Sequence, residues 1–237
     1  MFTNNETNYE SIAMDSFITI RTNDCNSRDK SYEHCRRFFI NNCCNPNEYD
    51  TMALHLFAYL GSWGMFRNSF IGQKDYLFHK PIIEILCKPD YIELMQWEPL
   101  TDLDNEYRII RLMELKKEII NKYQESYYYK DSTSKRFPIK NVTDTLVTKI
   151  ILGTLGCTPA FDQYLVEAMQ DYHPKTFSVE GMKRIIEYAK LHQKEIEEYK
   201  EQFFRDERDL YSTMKIVDIL LWGKGAQLKK KSTEENQ

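Results

Sequence analysis

Apolar residues three and four positions apart recur along most of the chain, the pattern of helices that each bury one stripe. The clearest stretch is 105–127. There Ile109, Leu112, Met113, Leu115, Ile119, Ile120 and Tyr123 form the stripe, and Lys116, Lys117, Glu118 and Lys122 the wet face. Residues 52–63 carry Met52, Leu54, Leu56, Phe57, Tyr59, Leu60 and Trp63, apolar around most of a helix, which predicts a central element. Gly61, Ser62 and Gly64 end it or admit a close neighbour. Ser31 is positioned to cap a helix with Cys35, Phe38 and Phe39 on its apolar side. Further helices are predicted at 81–87, 91–95, 144–152, 160–170, 178–203 and 206–222, the last closed by Gly223 and Gly225. Residues 12–22 alternate weakly and fit either a strand or a helix end. Residues 130–141 are polar, contain Pro138 and predict a loop.

The sum is an all-α fold, a compact multi-helix domain of eight or nine helices. A chain of 237 residues fits one domain, 1–237, with room for two helical lobes, 30–100 and 101–225, and a cleft between them. The tails 1–11 and 226–237 are polar and read as flexible.

Composition narrows the function classes. Net charge is −4, so no global attraction to nucleic acid exists, and DNA binding would need a local basic face. Candidates are Lys135 and Arg136 with Lys140, the pair Arg36 and Arg37, and the run Lys229, Lys230 and Lys231. The six cysteines form no C-x-x-C pair and have no histidine at zinc-ligand spacing, which predicts reduced thiols and no metal. With no signal-peptide pattern and no apolar run of membrane-spanning length, the expectation is a cytoplasmic protein without a membrane partner.

The segment 147–169 stands apart. An aliphatic helix runs into Leu152-Gly153-Thr154-Leu155-Gly156-Cys157-Thr158-Pro159, and Asp162 follows at the start of a new helix. An aspartate there can cap backbone N–H groups and suit the helix dipole with no chemistry at all. The same segment resembles the catalytic part of the helix–hairpin–helix DNA glycosylase superfamily, in which a Gly/Pro turn is followed by Pro-x-Asp. Here Thr158-Pro159-Ala160-Phe161-Asp162 has one extra residue between Pro and Asp. The hairpin glycines of that family have no counterpart at Lys140-Asn141-Val142-Thr143-Asp144. The lysine nucleophile of its bifunctional members falls where this chain has Asp144, and Lys149 lies nearer to Asp162 than that lysine would.

The resemblance therefore implies a monofunctional DNA N-glycosylase that uses Asp162 and water, with no Schiff base and no cofactor. It would act as a monomer on double-stranded DNA and remove a damaged or hypermodified base, such as phage DNA carries. It implies DNA contacts from Lys135, Arg136, Lys140, Asn141 and Lys149. It also implies a flipped-base pocket, for which the aromatic and polar region 59–79 offers Tyr59, Trp63, Arg67, Gln73, Asp75 and His79. Trp63, Phe66 and Tyr76 could equally be core, and His79 a satisfied or exposed histidine. Two other readings stand beside this one. One is a non-enzymatic helical interaction protein of a bacterial defence or regulatory system, with the charged stretch 190–201 and the final helix as contacts. The other is a metal-dependent hydrolase using His55 and His79, whose spacing matches no ligand motif.

Overall fold

A computed structural model describes residues 9–67, 69–129, 135–170 and 175–235. Expectations for residues 1–8, 130–134 and 236–237 fall outside these. Eleven α-helices are present among the described residues: α1 (Tyr9–Asn23), α2 (Arg28–Asn42), α3 (Tyr49–Ser62), α4 (Lys80–Leu86), α5 (Pro89–Ile92), α6 (Asn105–Gln124), α7 (Asp144–Thr154), α8 (Gln163–Ala168), α9 (Val179–Leu191), α10 (Gln193–Phe203) and α11 (Thr213–Glu235). One antiparallel hairpin joins β1 (Tyr127–Tyr129) to β2 (Arg136–Pro138), with Tyr128 opposite Phe137. The fold is all-α, and no helix among the described residues is long and apolar enough to cross a membrane.

The helix count exceeds eight or nine for two reasons. The ambiguous segment near the start folds as α1, which buries Ala13, Met14 and Phe17 on one side. The long helix expected over 178–203 breaks at His192 into α9 and α10. The short helix expected at 91–95 is α5, shifted to start at Pro89 and followed by a 3-10 turn, which leaves the count unchanged. Ser31 does not cap α2. The helix begins three residues earlier, and the Ser31 hydroxyl donates to the Arg28 carbonyl instead.

The largest departure is the last helix. Gly223 and Gly225 do not end it; α11 continues to Glu235. A Cβ on Gly223 would press into Ala13 of α1, and one on Gly225 into the Tyr164 carbonyl of α8, both inside 3.0 Å. The glycines therefore let two other helices pack against α11 closely, a use that breaks no helix hydrogen bond. As a result 226–235 is helical.

Three elements position the centre of the molecule. Helix α7 is buried from Leu146 to Thr154, as its aliphatic run requires. Thr143 caps it, accepting from the Leu146 N–H at 3.2 Å. Helix α3 lies against it and buries Met52, Ala53, Leu56, Tyr59 and Leu60. Helix α11 crosses α1 and α8, so residues near both ends of the described chain form one wall. Buried apolar residues from α1 to α11 make one continuous core.

Candidate functional site

The turn after α7 is built residue by residue. Gly156, at φ +67°, closes the helix by donating to the Ile151 carbonyl at 2.9 Å, a left-handed cap that suits glycine. Arg36 of α2, 2% exposed, lies under this turn and donates to the Thr154 carbonyl. The next segment, 158–161, is buried and held from two sides. The Phe161 N–H donates to the Thr148 hydroxyl at 2.9 Å, and the Thr145 hydroxyl donates to the Phe161 carbonyl at 2.8 Å. The Ala160 N–H donates to Oδ1 of Asp218 on α11 at 2.9 Å.

Asp162 emerges from this clamp as the N-cap of α8. Its Oδ1 accepts from the Tyr164 and Leu165 N–H groups at 2.9 and 3.2 Å. Its Oδ2 lies 3.4 Å from Nζ of Lys149, and both side chains are buried. The resemblance implies that Lys149 contacts DNA. The structure corrects this: α7 carries it into the interior, where its ammonium faces Asp162 and sits 4.9 Å from the centre of the Trp63 ring. A buried ammonium keeps its charge only with such partners.

A second lysine–aspartate pair mirrors the first. Lys215 of α11, 2% exposed, places Nζ 3.0 Å from Oδ2 of Asp218. The same ammonium is 4.5 Å from the Tyr32 ring and 5.6 Å from the Trp63 ring. Arg28, exposed at the start of α2, lays its guanidinium 4.4 Å from the Trp63 ring and 5.0 Å from the Trp222 ring. Trp63 thus receives three cations, each a favourable charge–quadrupole contact.

Beside this cluster lies a cavity of about 540 Å³, within the range of small-ligand sites. Its wall includes Phe17 of α1, Arg28 and Asp29 of α2, Trp63, and Asp218 and Trp222 of α11. Burial raises the pKa of Asp29 above the usual carboxylate range, with Lys215 opposing the shift. The two carboxylates on the buried part of the wall are therefore Asp29 and Asp218, each under a tenth exposed. Asp162 is not part of the wall; it stands behind it, joined to Asp218 through the 160–162 segment.

The residues expected in a base pocket divide among several places. Trp63 lines the cavity, and Tyr59 packs beneath it, ring centres 6.4 Å apart, fully in the core. His79 is wholly buried and bonds the Tyr123 hydroxyl at 2.7 Å; burial pushes its pKa down to about 4, so it is a core residue and reads no base edge. Asp75 is exposed before a 3-10 turn and lines neither this cavity nor the next. Arg67 and Gln73 belong to a separate groove of about 1020 Å³, together with Lys140 and Asn141. Lys135 and Arg136 are exposed at the hairpin that borders this groove. Arg36 does not contribute to a basic surface, because it is buried under the turn described above.

Arg28, Asp29, Lys215, Asp218 and Trp222 were not read from the sequence as site residues. One signal was present: Lys215 and Asp218 are charges three apart within the aliphatic run Met214–Leu221 of α11, and Lys149 interrupts a similar run in α7. Among the described residues no three His, Cys, Asp or Glu side chains are grouped to hold a metal ion. In comparisons with family models, with curated proteins and with solved structures, nothing matches the chain.

Proposed function

We propose that the protein is a monofunctional DNA N-glycosylase that uses water and forms no covalent intermediate. One observation carries this reading: a cavity lined by two indoles, Trp63 and Trp222, also holds two buried carboxylates, Asp29 and Asp218, in its wall. The planar guanidinium of the chain's own Arg28 lies against both rings. A flipped base is planar too, and would take that place once the exposed arginine swings aside.

The chemistry then follows from charge. Breaking the N-glycosidic bond leaves positive charge on the sugar, and a carboxylate near C1′ stabilises it. Asp218 is held by two fixed donors, the Ala160 N–H and Lys215, and its position on the wall suits that role. Asp29, whose proton affinity burial raises, suits the positioning of water, whose oxygen adds to C1′ while the base leaves with a proton. Asp162 supports Asp218 from behind, since it fixes the start of α8 and the segment that donates to Asp218.

A panel of duplexes carrying alkylated, deaminated, oxidised and hypermodified bases tests the proposal. The expected result is an alkali-labile abasic site in at least one duplex, with the free base found by mass spectrometry. Asp218→Asn should lower that activity by about 100-fold or more, the scale of losing one transition-state charge contact. Asp162→Asn keeps a capping oxygen, so its melting transition stays cooperative. Intact DNA across the whole panel would reject the enzyme reading. The cap hydrogen bonds of Asp162 favour a second reading, in which the same cluster only holds a helical interaction protein together. On that reading Asp162→Asn changes stability alone.

A further inference from the structure

We infer that the 1020 Å³ groove, set between residues 64–73 and 137–143, binds a short single-stranded stretch of DNA. This acidic protein leaves positive charge without a carboxylate partner around the groove. Several surface lysines and arginines are paired: Lys80 with Asp50, Lys88 with Glu118, Arg111 with Glu114, Arg184 with Glu187. No carboxylate among the described residues pairs with Arg67, Lys74, Lys135, Arg136 or Lys140. Among the described residues, the groove wall holds Arg67 and Lys140 and no acidic residue. In a chain of net charge −4, that is a local field built for an anion.

The second observation is what lies between the charges. Phe66, Phe70, Tyr128 and Phe137 line the groove. Just outside, Tyr127 and Tyr129 of β1 are 37% and 42% exposed. Lys74 lies 5.1 Å and Arg136 4.4 Å from the Tyr127 ring centre, so cations and rings alternate across the hairpin. Gln73, Asn141, Ser69 and Thr143 add uncharged hydrogen-bonding groups. Cations that follow a phosphate backbone, with aromatic faces between them, are what an unpaired strand requires. A duplex hides its base faces and would leave these rings unused.

The choice of DNA rests on the glycosylase reading, because opening a base pair creates a single-stranded stretch; the strand-binding itself does not depend on catalysis. Fluorescence anisotropy with a labelled 12-residue oligothymidylate, across a salt series, tests it. Wild type should bind, with affinity falling as salt rises. The double variant Arg67→Ala/Lys140→Ala should bind at least about tenfold more weakly, and its log–log salt slope should be shallower by about 1.4, two contacts at about 0.7 each. Tyr129→Ala should lower affinity at least about fivefold with the slope unchanged, since stacking releases no counterions. Asp218→Asn should bind as wild type does, which separates this inference from the enzyme reading. Tighter binding to the matching duplex would overturn the assignment. Equal affinity of wild type and the double variant would overturn it as well, and so would Tyr129→Ala binding unchanged.

Discussion

Gly225→Ala gives the sharpest test of how α11 meets the rest of the protein. In an exposed helix interior this change stabilises by about 1 kcal/mol, because alanine loses less backbone entropy than glycine. Here the added methyl would lie inside 3.0 Å of the Tyr164 carbonyl, closer than real Cβ atoms come to any neighbour. The obstacle is backbone of α8, not the end of a flexible side chain, so the helices must separate. Overpacking of this kind costs about 1–3 kcal/mol, and a rigid obstacle places it near the upper end. Subtracting the propensity gain leaves a net loss of about 2 kcal/mol. For a chain of this length that lowers Tm by about 4–8 °C, which differential scanning calorimetry resolves easily. Trp222 supplies a local reporter: its ring meets Tyr164 edge-on at 5.0 Å, so its fluorescence should change when α8 moves. A rise in Tm with unchanged Trp222 emission would refute the reasoning, because it would mean that 225 is free of α8.

Other consequences are equally concrete. His79 has a folded pKa of about 4 against an unfolded value near 6.5, and its buried Nε2 has no partner among the described residues. The unfolded chain thus takes up the proton first, and stability should fall by about 3 kcal/mol as pH drops from 6.5 to 4; urea titrations of His79→Gln should show a much flatter dependence over that window. The Asp29 carboxyl is raised by burial, so ionised Asp29 works against folding at neutral pH. Asp29→Asn should therefore raise Tm at pH 7.5, with the gain vanishing in acid, where wild type is protonated too; a lower Tm at pH 7.5 would contradict the assignment. Arg36 is a buried charge whose neighbours include no paired carboxylate, and burial lowers its pKa. Arg36→Met, which keeps most of the volume, should cost less than about 1.5 kcal/mol, whereas Arg36→Ala should cost about 3 kcal/mol or more through the cavity it leaves. Equal losses for the two in denaturant melts would show that the hydrogen bond to Thr154, not the packing, matters.

The helices were legible wherever one segment's own pattern decided its state. The stripe of α6 and the aliphatic run of α7 needed no outside information. The end of α11 was not legible, because Gly223 and Gly225 answer to Ala13 and Tyr164, residues far away in the chain. The same division runs through the site. Trp63 and Asp162 stood out locally, one beside a glycine-rich turn and the other at a helix start. The burial of Lys149 was not legible, because lysines ordinarily keep their charge in water. Its burial depends on Asp162 and on the Trp63 face, which only the folded chain brings to it. Arg28 and Trp222 gave no signal, since their meaning is a stack between α2 and α11 that no local pattern encodes.

The wall that joins α1 to α11 has a consequence for the protein's birth. Lys224 meets Glu10 across 214 residues of sequence, so this ion pair and the cavity beside it form only after the ribosome has made α11. Until then α1 has emerged with Ala13 and Phe17 uncovered, and the cavity lacks Trp222, Lys215 and Asp218. A nascent chain stalled before residue 213 would bind nothing there and would offer its bare helix to chaperones. Any catalytic competence this cavity has begins only when α11 has been made and settles on α1.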